Sequence, residues 1–351
     1  MKSKNVIKKN LISVLIFLLF VIFVFYFIFK ENDIKVIFNI LKSTNKFYLV
    51  VAFLCMACFS ICEALNLKET LKILGNKISF SNAYKYALAG FFCSSITPSA
   101  TGGDPMQLYL MAKDKVPISH SVITLLVKLL VFQLVTIIIS LFGVITSYNF
   151  FKTSLGNIRF LIFLGMFLNF LVCTLYFLII FCKPIVIFLV EFISKILHKF
   201  QYKNQEKLIL KLSNQVEEYG KAAVFLKQHK SFFLKVIGIT SCQMLLYYSI
   251  PYFVYLSFGY TEVAIFKFIV IQAVLFISVS SLPFPGAVGI SEITFMYLYK
   301  TLFPDPVLGS AMVITRFINF YIFVLYSGIT MSFCVLKDNV RKNHKENNYG
   351  I

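Results

Sequence analysis

Two stretches decide the fold: ITPSATGGDP at residues 96–105 and LPFPGAVGISE at residues 282–292. Each interrupts an apolar run with proline and glycine, and each ends on a carboxylate, Asp104 or Glu292. The two also match in detail. Ser94-Ser95-Ile96 precedes Pro98-x3-Gly102-Gly103, and Ser280-Ser281-Leu282 precedes Pro285-x3-Gly289. Proline and glycine can simply mark loops between ordinary helices. Two similar breaks inside apolar sequence instead predict re-entrant or broken-helix hairpins, whose freed backbone groups survive at membrane depth only when buried in protein or lining a cavity. Pro98, Gly102, Gly103, Pro285, Gly286 and Gly289 are the expected backbone positions of these hairpins.

Outward from the breaks, apolar runs near the roughly 20 residues that cross a bilayer lie at about 11–29, 47–65, 118–147, 158–182, 231–258 and 307–336. The breaks themselves follow shorter apolar segments at about 83–97 and 262–284. The expected fold is therefore an all-α integral membrane protein with about six full spans and two hairpins. Composition agrees: 59% of the 351 residues are hydrophobic and 14% charged, with a mean hydropathy of +0.82. The basic N-terminus MKSKNVIKKN precedes an apolar run too long for a cleaved leader, so the run is expected to remain as a first span.

Span, hairpin, span occurs twice, at about 47–147 and 231–336, within a membrane domain covering 1–336. Between the repeats, residues 198–230 mix spaced apolar residues with Lys and Glu, the pattern of an amphipathic linker helix at the cytoplasmic surface. Residues 337–351 form a basic tail. Lysine and arginine number 34 against 15 acidic residues, a net charge of +19. Most of that excess lies in short connections and at the ends, so the positive-inside rule places both termini in the cytoplasm of a cell membrane. This closes only if each hairpin returns to the side it entered, which gives the two repeats opposite orientation. Anionic lipid headgroups are the simpler partner for such charge, and no direct contact with nucleic acid is expected.

No P-loop, HExxH or nucleophile elbow is present, and no cofactor or metal is expected. Cys55, Cys58 and Cys62 share a helix face without a neighbouring histidine and read as packing residues. Charges at membrane depth carry more information. Each costs roughly 2.5–3.5 kcal/mol on insertion scales, so they tend to face the bundle interior and mark a site. Asp104 and Glu292 follow the glycine-rich breaks, where a new half-helix would aim its positive end at an anion such as a phosphate. Asp104, followed by Pro105, also suits a helix N-cap. Arg316 and Lys128 each lie about ten residues into a span and need a counter-charge, with Glu292 or Asp104 the expected partner of Arg316. Glu63, Lys235, Glu262 and Lys267 fall near span ends and are expected to reach the interface.

The pieces ITPSATGGDPMQ (96–107), LPFPGAVGISEITF (282–295) and TRFINFYIFVLYSG (315–328) resemble, in order and spacing, the lysylphosphatidylglycerol synthase transmembrane-region family, and the resemblance spans nearly the whole chain. It implies a flippase-like domain that moves phosphatidylglycerol or its lysyl derivative between leaflets, with Asp104, Glu292 and Arg316 as polar membrane residues. It also implies an enzymatic alternative, lysyl transfer from lysyl-tRNA to phosphatidylglycerol, performed alone or with a separate aminoacyl-transferase or other cell-envelope enzyme. Fused family members carry a soluble transferase domain after the last span, so synthesis by this polypeptide alone is not expected. One departure stands out. The family often has an acidic–Arg pair in the span after the first hairpin, where Val127-Lys128 keeps only the positive charge.

Overall fold

The computed structural model describes residues 42, 44–97, 100–146, 159–182, 184–188, 191, 205–280, 282 and 284–333. The proposed first span at 11–29, Pro98 and the basic tail lie outside the described residues. The first repeat is a long helix α1 (Lys46–Ile73), a pair of short helices α2 (Phe80–Ile96) and α3 (Gly103–Lys113), and a long helix α4 (Ile118–Thr146). Two helices follow, α5 (Arg159–Phe181) and α6 (Gln205–Gln228). The second repeat has the same plan: α7 (Lys230–Ser257), the short pair α8 (Ile265–Val279) and α9 (Ile290–Tyr299), and α10 (Asp305–Phe333), a continuous helix with a π-helical stretch at Phe317–Tyr321.

Among the described residues every regular element is helical, and five helices are long and apolar enough to cross a membrane. This is an all-α, multi-pass membrane protein. The helix exteriors show why lipid rather than water is the solvent. On α5, Phe160, Phe163, Phe167 and Phe170 form an exposed apolar stripe with no polar counterpart, which in water would be a large unpaid exposure. The amphipathic segment between the repeats is α6, which packs on α4 and α5, with Tyr219 donating to the Ile179 carbonyl at 3.1 Å.

Inside the bundle the most extensive pairing is α1 against α7, one long helix from each repeat. Asn66 of α1 donates to Thr240 Oγ1 of α7 at 2.9 Å across that seam. A second polar joint is Asn169 of α5, fully buried, which donates to the Ile277 carbonyl of α8 at 2.9 Å and accepts from Gln133 of α4 at 2.7 Å. Without a hydrophobic drive between helices in lipid, such bonds and close small-residue contacts set the packing.

Both breaks are real interruptions, built differently. In the second, Gly286 (φ +58) and Gly289 (φ +85) occupy the left-handed region that only glycine enters without strain. In the first, Gly102 is right-handed (φ −82), and its role and that of Gly103 is proximity: a Cβ on Gly103 would lie 2.7 Å from the Gly90 carbonyl oxygen. The α2–α3 hairpin therefore closes backbone on backbone. Gly103→Val is expected to splay it, lowering the Tm of the detergent-solubilised protein, whereas Gly238→Ala, where a Cβ meets nothing within 4 Å, leaves Tm unchanged or raised.

Candidate functional site

Helix α3 delivers Asp104 in its first turn, and α4 delivers Lys128. Lys128 Nζ lies 2.9 Å from Asp104 Oδ1, 3.6 Å from Glu63 Oε1 of α1 and 2.8 Å from Gln107 Oε1. Gln107 closes the ring by donating Nε2 to Glu63 Oε1 at 3.1 Å. Two carboxylates thus share one ammonium, which leaves this cluster one negative charge in surplus.

The second repeat holds the corresponding pair. Arg316 of α10 donates Nε to Glu292 Oε1 of α9 at 2.6 Å and Nη2 to the Gly286 carbonyl at 3.1 Å. The guanidinium also lies over the Phe320 ring, 4.6 Å from its centroid. Glu292 is held from its other side, where Oε2 accepts from the Gly289 N–H at 2.7 Å and from Ser291 Oγ at 3.0 Å. The positive end of α9 is therefore taken by its own carboxylate instead of standing open to an external anion.

The two pairs share one spacing. Asp104 and Lys128 are 24 residues apart, as are Glu292 and Arg316, and each pair ties the second short helix of a hairpin to the following long helix. Similarity between the breaks thus extends to the charges behind them. Asp104 is not an N-cap, because α3 begins one residue earlier with Gly102 in that place; its carboxylate is directed to Lys128 instead. Of the residues expected near span ends, Lys235 pairs with Glu69 at 2.7 Å and stays half-exposed, consistent with an interfacial position. Glu63 does not follow that expectation. Helix α1 continues to Ile73, so Glu63 is interior and joins the Lys128 cluster.

Both clusters open on one cavity of about 590 Å³, within the range of roughly 300–1,000 Å³ typical of ligand pockets. Its wall draws on both repeats. Glu63, Asp104 and Lys128 come from the first and Arg316 and Asn319 from the second, with Phe59, Phe132 and Phe276 among the apolar lining. Backbone contact between α2 and the Pro285–Ala287 turn brings the two hairpins together beside it. Such a chamber sets cations paired with carboxylates beside an apolar wall.

A family model for the lysylphosphatidylglycerol synthase TM region matches residues 10–327. The chain belongs to this family. The matched residues include both hairpins and both ion pairs. Two relatives are named only as UPF0104 membrane proteins. That of Archaeoglobus fulgidus is 26% identical over 318 residues, covering 90% of this chain and 95% of its own. That of Methanocaldococcus jannaschii is 28% identical over 228 residues, covering 64% and 65%.

Sequence reasoning placed Asp104, Lys128, Glu292 and Arg316 as candidates; Asp104, Lys128 and Arg316 line the chamber, and Glu292 stands behind it on Arg316. Charge at depth pointed to them. It missed Gln107 and passed over Asn66 and Asn319, because a neutral amide in an apolar helix carries no comparable signal until its neighbours are known.

Proposed function

We propose that this membrane domain moves a phospholipid between leaflets, with phosphatidylglycerol or its lysyl derivative as the expected cargo and both termini in the cytoplasm. The observation that carries the reading is the pair of equivalent ion pairs, one per repeat, whose cations Lys128 and Arg316 both line a single chamber. A lipid phosphodiester carries one negative charge and, like a carboxylate, two oxygens that can accept from a guanidinium or an ammonium, so it can take the place of a carboxylate on Arg316 or Lys128. Replacement has a mechanical consequence. Asp104 and Glu292 sit on hairpin helices, so exchanging either for phosphate removes the charged tie between that hairpin and the long helix behind it and leaves only the bonds to neutral acceptors, from Lys128 to Gln107 or from Arg316 to the Gly286 carbonyl. Two such ties in oppositely oriented repeats give one releasable gate on each side of a central site, the layout of alternating access. Acyl chains would remain along the apolar wall while the headgroup crosses the polar chamber.

The test is reconstitution of the purified protein into liposomes carrying headgroup-intact phosphatidylglycerol with a fluorescent acyl chain, followed by quenching of the outer leaflet. Faster loss of protected label than in protein-free vesicles supports translocation. Equal rates, with insertion and orientation verified, would remove it. Incubation with lysyl-tRNA under the same conditions addresses the transferase alternative: lysyl transfer to the lipid by the purified chain would replace the proposal with an enzymatic one.

A further inference from the structure

The seam between the repeats carries thiols that neither ion pair uses. Helices α1 and α7 run antiparallel along it, and four contacts fix their register. Ser249 donates to Cys55 Sγ at 3.8 Å, Phe59 packs on Tyr247 with ring centroids 5.3 Å apart, Asn66 donates to Thr240 at 2.9 Å, and Lys235 pairs with Glu69 at 2.7 Å. Between the second and third of these contacts stand Cys62 on α1 and Cys242 on α7. The register sets them opposite each other, and their side chains interact across the seam. Both thiols are free. Packing alone does not account for the pair. A cysteine that serves as a small filler is ordinarily buried, as Cys55 is on the same helix, whereas Cys242 is exposed and Cys62 half-buried. Their neighbours in sequence, Glu63 and Gln243, line the chamber, so a bond between the thiols would fix the two helices that carry those residues. Cys62 precedes Glu69 and Cys242 follows Lys235 by the same number of residues, which places the thiols about 10 Å along the helices from that interfacial pair. Small uncharged oxidants reach such a depth.

We propose that Cys62 and Cys242 are a redox-sensitive pair, which a membrane-permeant peroxide converts to a disulfide that ties the two repeats together along their seam. Cys242, the more exposed, attacks one peroxide oxygen; the O–O bond breaks, one water leaves and the sulfur becomes a sulfenic acid. The Cys62 sulfur then attacks the Cys242 sulfur, forming the S–S bond and releasing the second water. Each thiol gives up its proton to a departing oxygen, and two electrons pass from the two sulfurs to the peroxide. With the bond in place α1 can no longer slide or tilt on α7, so the chamber residues on the two helices are held at one separation. That this stops transport, unlike the bond itself, rests on the translocation reading above.

The test treats the full chain in phosphatidylglycerol liposomes with hydrogen peroxide, blocks the remaining thiols, and maps peptides by mass spectrometry before and after a phosphine reductant. The expected result is a reducible peptide pair joining Cys62 to Cys242, absent from Cys62→Ser and Cys242→Ser and retained in Cys58→Ser. Alanine at either position repeats the comparison if a serine variant folds poorly. In the same vesicles, translocation of acyl-labelled phosphatidylglycerol should fall in proportion to the cross-linked fraction and recover on reduction, while Cys242→Ser stays insensitive. Recovery separates the disulfide from methionine sulfoxide, which the phosphine does not reverse. Failure of the Cys62–Cys242 peptide pair to form, or a bond to Cys58 in its place, would overturn the redox pair whatever the lipid assay reads. A disulfide that leaves wild-type translocation unchanged would overturn the lock and leave the translocation reading intact. Reduced wild-type protein that moves no lipid would overturn the translocation reading and the lock with it.

Discussion

Lys128→Met is expected to cause the largest loss of stability of any single charge removal in this protein. The ammonium stands within 3.6 Å of both Glu63 and Asp104 and accounts for the placement of Gln107 between them. Removing one partner of a buried ion pair costs about 3–5 kcal/mol because the other charge is left without compensation. Here two carboxylates lose their shared cation at once and then repel each other. Asp104 is the more exposed of the two, with 36% of its side chain accessible, so solvent moderates the cost at that end, while Glu63 at 18% bears it almost in full. The decisive comparison is the triple variant Lys128→Met, Glu63→Gln, Asp104→Asn, which should recover most of the lost Tm in detergent, since neutral amides can bond one another across the same gap. A single variant as stable as wild type would mean that the cluster is hydrated and contributes little.

Arg316→Gln is expected to have the largest effect on function. Its guanidinium carries more N–H donors than its bonds to Glu292 and Gly286 use, so one edge remains for a ligand in the chamber. Glutamine keeps a donor for Glu292 but neither the charge nor the fork. Loss of a charge-assisted bond of about 1.5–3 kcal/mol corresponds to roughly a tenfold to hundredfold fall in phospholipid translocation. Because Glu292 keeps its bonds from Gly289 and Ser291, the fold should survive, and the loss should appear in rate more than in the amount of folded protein. Arg316→Lys is a sharper probe: it retains charge but cannot span Glu292 and the Gly286 carbonyl with one planar group, so it should fall between wild type and Arg316→Gln.

How much of this was legible in the sequence depends on which signal each residue sends. Proline and glycine break helices wherever they stand, so both hairpins could be read from ITPSATGGDP and LPFPGAVGISE, and apolar runs placed α4, α5, α7 and α10 within a few residues of their observed ends. That Arg316 needs a counter-charge followed from its depth, whereas the choice of Glu292 over Asp104 is made by the fold. Glu63 was misjudged for a specific reason. Asn66, Lys68, Glu69 and Lys72 end the apolar run, yet the helix continues through them because Asn66 bonds α7 and Glu69 pairs with Lys235. Hydropathy reports where lipid ends, whereas helix length is decided by tertiary partners. The same distinction hides Gln107, Asn66 and Asn319, whose roles depend on which helices face them. The role of Gly103 was equally hidden, since close approach to Gly90 is a property of the folded hairpin and leaves no trace in local propensity.

The measurement that tests the central claim most directly is a cryo-electron microscopy structure of the full chain in nanodiscs made with phosphatidylglycerol. The account predicts a lipid phosphate within hydrogen-bonding distance of Arg316 or Lys128 inside the chamber, with the corresponding carboxylate displaced. Lipid confined to the outer surface of the bundle, with Glu292 still on Arg316 and Asp104 still on Lys128 across all particle classes, would contradict it.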